Sequence, residues 1–214
     1  MTPYTKQTTS FKPASRRVFA PFMVWLFSLL FHLAPGSLHA DVVKPALVEI
    51  STYTTGEIEI EIRASLEALL TGINAKYKNT QDAPNAEAYD ALRVLESEEL
   101  RTAFAPFKTI LLDEIRLSAD DTPVALSYKN IVIPEPGYTK VPRISVITLS
   151  GEVARDKTQL RWYYPEKFGD NAVRVRQVDE ANEQWHWSSW QWLRKDAAST
   201  PFSLEELFTQ RPIH

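Results

Sequence analysis

The 214-residue chain contains no cysteine. That excludes disulfides, thiolate metal centres, a cysteine nucleophile and a lipid-modified cysteine at any processing point. Glycine is scarce, with six in the whole chain, and no run of glycines forms a phosphate-cradling loop or flanks a serine as a nucleophile elbow. Histidine is scarcer still, with four residues, none at a histidine–carboxylate ligand spacing. Acidic residues are missing altogether from the first forty positions.

What those forty positions do hold is a processing pattern. Lys6, Lys12, Arg16 and Arg17 precede an apolar run from Val18 to Ala34, and "PGSLHA" follows, ending in a small residue. A charged start, an apolar middle and a small-residue end make a secretory signal, here a signal helix over residues 1–40. Cleavage is expected after Ala40, leaving Asp41 as the new N-terminus, although Leu38 is larger than the residue usually found at that place. The competing reading is an uncleaved anchor, which Pro21 and His32 weaken. "SRRVF" resembles a twin-arginine signal, but the apolar run suits the general secretory route better. The protein is therefore expected outside the cytoplasm, in a periplasm or on the outer face of the cytoplasmic membrane.

Loss of four positive charges and no negative one takes the net charge from −3 to −7. Such an acidic domain is ill suited to nucleic acid or anionic lipid heads, whose binding rests on neutralising phosphates. With no disulfide, the domain has to rest on its core, and its length suffices for one.

Past Asp41 the periodicity is first that of strands. "VVKPALVEISTYTTGEIEIEIRA" predicts two strands joined at Tyr53–Gly56, with Ile58, Ile60 and Ile62 alternating with Glu57, Glu59 and Glu61. Same-face carboxylates along one strand are roughly 7 Å apart, too far to hold one ion, so a solvated face paired with neighbouring arginines is expected. At Ser65 the period changes to helical: Leu66, Leu69, Leu70 and Ile73 share a face up to Gly72. Asn85 is a candidate N-cap for a second helix, and a third helical stretch from Ser97 is divided by Pro106. From Ile115 onward the chain is β again. A hairpin turning at Asp120–Pro123 comes first, then strands in "VPRISVITLSGEV", "TQLRWYY", "AVRVRQV" and the tryptophan-rich "EQWHWSSWQWLRK". Regular short strands with turn signals predict an antiparallel, Ig-like β-sandwich over 41–205, with a helical insertion around 65–113 and a tail at 206–214.

No catalytic constellation shows. Asp120–Asp121 is explained by turn chemistry. Beyond the signal only His186 and His214 remain, and His186 is expected half-buried or facing solvent. An enzyme is not expected, nor a cofactor, nor a metal site.

The sequence resembles the extracytoplasmic N-terminal region of the HupE/UreJ family of membrane proteins. The resemblance is carried in order by "VVKPALVEI", "EIEIRASLEALLTGI", "DAPNAEAYDALRVL", "LLDEIRLSADDTPVAL", "RISVITLSGEV", "RWYYPEKFGDNAVRVRQ" and "FSLEELF". It implies a signal peptide, a folded extracytoplasmic domain and then membrane helices, in a family taken to be nickel or cobalt permeases. The chain ends at His214 before any such helix, and no residue matches the family's metal motif, so no ligand carries over. The resemblance thus points to a non-enzymatic domain, truncated or split from its membrane part, whose partner is a membrane-helix region or another membrane component. The alternative is a free-standing periplasmic binding module that uses a tryptophan face for a sugar, peptide or protein.

That alternative turns on Trp185, Trp187, Trp190 and Trp192. A tight hairpin at Ser188–Ser189 is disfavoured, because such loops need residues that accept positive φ. In one regular strand, alternation would split the four rings between two faces, and a bulge at Ser188–Ser189 would bring them to one. The segment is aromatic-rich, which suits a strand inside a sheet, and at least two of the four are expected in the core. A membrane-facing or partner-facing patch and a ligand platform are the other readings.

Overall fold

The computed structural model describes residues 43–73, 77, 79–139 and 141–204. The signal segment, the Ala40–Asp41 bond and the 206–214 tail lie outside them. Within them the chain is a β-sandwich with a helical insertion.

Strands β1 (Ala46–Tyr53) and β2 (Glu57–Ala64) form the first hairpin. Gly56 closes it at φ 95°, and a Cβ there would meet the Val153 carbonyl oxygen at 2.7 Å. Only glycine fits that left-handed, crowded position. The helices follow: α1 (Leu66–Thr71), α2 (Ala86–Arg93), α3 (Ser97–Phe104) and α4 (Phe107–Glu114). The Ser65 hydroxyl caps α1 by accepting from the Ala68 N–H, and Gly72 ends it at φ 68°. Asn85 stands at the N-terminus of α2 but does not cap it with its side chain; its amide donates instead to the Thr71 carbonyl. Pro106 separates α3 from α4.

Strands β3 (Arg116–Ala119) and β4 (Thr122–Val124) turn at Asp120 and Asp121, with φ 44° and 63°. The turn is tighter than the expected Asp120–Pro123, because aspartate tolerates the left-handed conformation that a two-residue hairpin loop demands. Pro123 thereby falls inside β4, an edge strand, where a missing N–H costs least. The chain continues through β5 (Ser127–Val132), β6 (Ser145–Glu152), β7 (Gln159–Tyr163), β8 (Asn171–Asp179), β9 (Gln184–Trp187), β10 (Gln191–Leu193) and β11 (Phe202–Ser203).

The large sheet runs β10-β8-β1-β2-β6-β5, with β9 also on β8, and the small one runs β11-β7-β3-β4. All pairings are antiparallel except β1 with β8. That parallel pair sits inside the antiparallel-rich sandwich that the strand pattern predicts. Strand β8 enters from the small sheet through residues 164–170, so no hairpin dictates its direction.

One apolar cluster joins the layers. The isoleucines of β2 meet Val48, Ile50, Ile147, Leu149 and Val175 on the inner face of the large sheet. Leu117, Leu160 and Trp162 come from the small sheet, and Leu100, Phe104 and Leu111 from the helices. A run of rings threads it: Trp162 to Tyr164 to Phe168 to Phe107 to Phe104 to Tyr128, with centroids 5.4–6.3 Å apart. Beside the cluster, Arg143 and Glu67 form an almost fully buried ion pair at 2.8 Å. The Arg143 guanidinium also donates to the carbonyls of Leu95 and Pro134 at 3.0 and 3.2 Å. Ser65 donates to the other Glu67 oxygen at 3.0 Å. This network ties α1, the end of α2 and the β5–β6 connection together.

Candidate functional site: a tryptophan edge on an open sheet face

The outer face of the large sheet is open. Glutamates of β1 and β2 half-emerge there and are paired: Glu61 with Arg63, Glu49 with Arg63 and Arg174, and Glu59 with Lys129 at 2.6 Å. Two of these partners differ from the expected neighbouring-strand arginines. Glu61 uses its own strand, and Glu59 reaches over β6 to a lysine of β5.

Along one side of this face lies the tryptophan segment. Strands β9 and β10 form a single interrupted edge strand on β8, with Trp187 opposite Arg176, Trp185 opposite Val178 and Trp192 opposite Ala172. Between Trp187 and Gln191 the outer strand holds one residue more than β8, which is a bulge. Ser188 makes it. Its N–H donates to the Val175 carbonyl at 2.8 Å, and its hydroxyl, rather than a backbone carbonyl, accepts the Val175 N–H at 2.9 Å.

The bulge shifts alternation by one, so Trp185, Trp187, Trp190 and Trp192 share one face with Arg174 and Arg176. The Arg174 guanidinium lies 3.6 Å from the Trp187 ring centroid and 4.4 Å from that of Trp190, held between them. Glu49 fixes it from β1, accepting from Nε at 2.8 Å. Arg176 lies 5.3 Å from the Trp187 ring and donates to Ser51 Oγ at 2.9 and 3.1 Å. Guanidinium over indole at these distances is a favourable cation–π contact.

All four rings are exposed: 60% for Trp185, 38% for Trp187, 37% for Trp190 and 63% for Trp192. This overturns the expectation that at least two are core. The strand does pair in the sheet, but the bulge turns its aromatic side outward. The place those rings were expected to fill belongs to Trp162, Tyr164 and Phe168, all buried. The inner two tryptophans are partly covered by Arg174. Over Trp185 and Trp192 no cation stacks among the described residues.

The sequence reading missed Arg174 and Arg176. The signal was there in the Val–Arg–Val–Arg alternation of β8, whose valines point into the core and whose arginines meet the edge rings. His186 alternates to the other face from the tryptophans and is exposed. Among the described residues no group of three or more metal-ligating side chains gathers, and no helix is long and apolar enough to cross a membrane. A concavity of about 880 Å³ opens at the β1–β2 turn, lined by Gly56, Glu57, Gly151 and Glu152. Its two glutamates face each other across β2 and β6.

The chain matches no protein-family model and no curated protein.

Proposed function

We propose that the protein is an exported, non-enzymatic binding domain whose working surface is the tryptophan edge of the large sheet. Its domain type is the extracytoplasmic part that stands ahead of the membrane helices in HupE/UreJ-like proteins, a reading that rests on the ordered sequence stretches given above. Export rests on the composition of residues 1–40.

One observation carries the binding role: four tryptophans brought to one exposed face by a single bulge. Burying a tryptophan removes roughly 150–250 Å² from water, so leaving four of them wet forgoes a large stabilisation. Contiguous aromatic surface of this kind marks interaction sites, and tryptophan and arginine dominate the energetics of such sites. Arg174 and Glu49 hold the inner rings in place, which lowers the ordering cost of binding.

The test is stability against exposure. Trp185→Ala and Trp192→Ala should leave the unfolding midpoint in urea nearly unchanged, while N-terminal sequencing of exported material should begin at Asp41. A loss of several kcal/mol from either substitution would make these rings structural and remove the binding surface.

A further inference from the structure

Three features of the tryptophan edge select its occupant. The first is shape. The rings are strung along one strand, from the residue opposite Val178 to the residue opposite Ala172, which is roughly 20 Å at strand spacing. The two end rings of the row are the most exposed of the four. An extended ligand can lie along such a row.

The second is charge. Arg63, Arg174 and Lys129 are interleaved with Glu49, Glu59 and Glu61 and paired with them. Opposite charges this close cancel most of their outward field, so a polyanion or polycation gains little and must compete with existing pairs. A bilayer would have to take the Arg174–Glu49 pair and Arg176 out of water beside the rings, at a desolvation cost.

The third is hydrogen bonding. Beside the rings Arg176 offers donors that no carboxylate takes up among the described residues, its bonds going to the Ser51 hydroxyl. Glu49 and Glu61 offer acceptors one and two strands further on.

We infer that the edge is a platform for a linear, uncharged, β-linked oligosaccharide. This rests on the binding-surface reading and names its ligand class. Pyranose rings linked in the β-configuration present flat C–H faces, whose positive edges suit the negative face of indole. Their hydroxyls reach Arg176 and the glutamates without disturbing the ion pairs. Trp185 and Trp192 take the outer sugar rings, and the Trp187–Arg174–Trp190 stack supports the middle.

The experiment titrates protein produced from the full chain, in a detergent without a sugar headgroup, with cellohexaose and chitohexaose, following tryptophan emission and heat. Either probe should bind, and Trp185→Ala and Trp192→Ala should each weaken it about tenfold with unfolding unchanged. α-Linked maltohexaose, which coils, should bind at least about tenfold more weakly. No binding of either β-linked probe overturns the inference, and so does equal binding of maltohexaose. A blue shift with phosphatidylcholine vesicles in place of a sugar response also overturns it and makes the occupant a bilayer. Any of these results with Trp185→Ala and Trp192→Ala still fully stable leaves the binding-surface reading standing. Loss of stability in those variants sinks both.

Discussion

Trp162 and the tryptophans of the edge strand have opposite fates within one sandwich. Trp162 lies in β7 on the inner side of the small sheet, fully buried against Tyr164. Trp185, Trp187, Trp190 and Trp192 lie on the outer side of the large sheet with 37–63% of their surface in water. Aromatic content and strand propensity are alike in both segments. What differs is the parity of the strand and the company on its face: apolar residues around Trp162, arginines around the edge rings. A strand decides the fate of its side chains by which alternate it turns inward, and one inserted residue reverses that choice.

The comparison breaks first at Trp162. Trp162→Ala should cost about 3–5 kcal/mol, the usual loss for a large core aromatic, read as a lower urea midpoint. Next comes the buried joint that holds the helical insertion. Arg143→Ala leaves the almost fully buried Glu67 without its ion-pair partner, so a loss of about 3 kcal/mol is expected. Equilibrium unfolding measures it, and Arg143→Lys should restore only part because its ammonium cannot reach three partners in one plane. Much smaller is the effect at the edge. Trp185→Ala and Trp192→Ala should each change stability by about 0.5 kcal/mol or less.

The smallest effect concerns the link between the two regions. Asp196, just past the edge strand, accepts from the Glu166 N–H at 2.9 Å and the Tyr163 hydroxyl at 3.1 Å. The Glu166 backbone bond, then the Tyr163 bond, hold its carboxyl below the usual aspartate range against a weaker desolvation effect. A depressed folded pKa means the unfolded chain takes up the proton first as pH falls. The contribution is therefore present at neutral pH and fades below about pH 4. Asp196→Asn should flatten that part of an acid titration of stability, a modest change because the group is exposed.

Much of this architecture was legible in local pattern. The Ile–Glu alternation of β2, the Ser65 start and Gly72 end of α1, and the break at Pro106 all announce themselves within a few residues. Two things did not. The parallel β1–β8 pairing depends on a crossing between sheets that no local signal encodes. The outward turn of the tryptophans depends on the Ser188 hydroxyl accepting from the Val175 N–H, a long-range bond. The bulge was foreseeable as one option, but choosing it required knowing that β8 places Arg174 and Arg176 beneath the rings. The buried Glu67–Arg143 pair was equally hidden, since its partners are 76 residues apart.

The central claim is that the edge tryptophans face solvent while Trp162 does not. Acrylamide quenching in a Trp25→Phe background tests it most directly, by comparing the protein with a variant carrying phenylalanine at 185, 187, 190 and 192. The parent emission should be red-shifted and readily quenched, and the variant should retain only a blue-shifted, quench-resistant signal from Trp162. A parent emission that resists acrylamide as strongly as the variant would place the edge rings inside the protein and contradict the account.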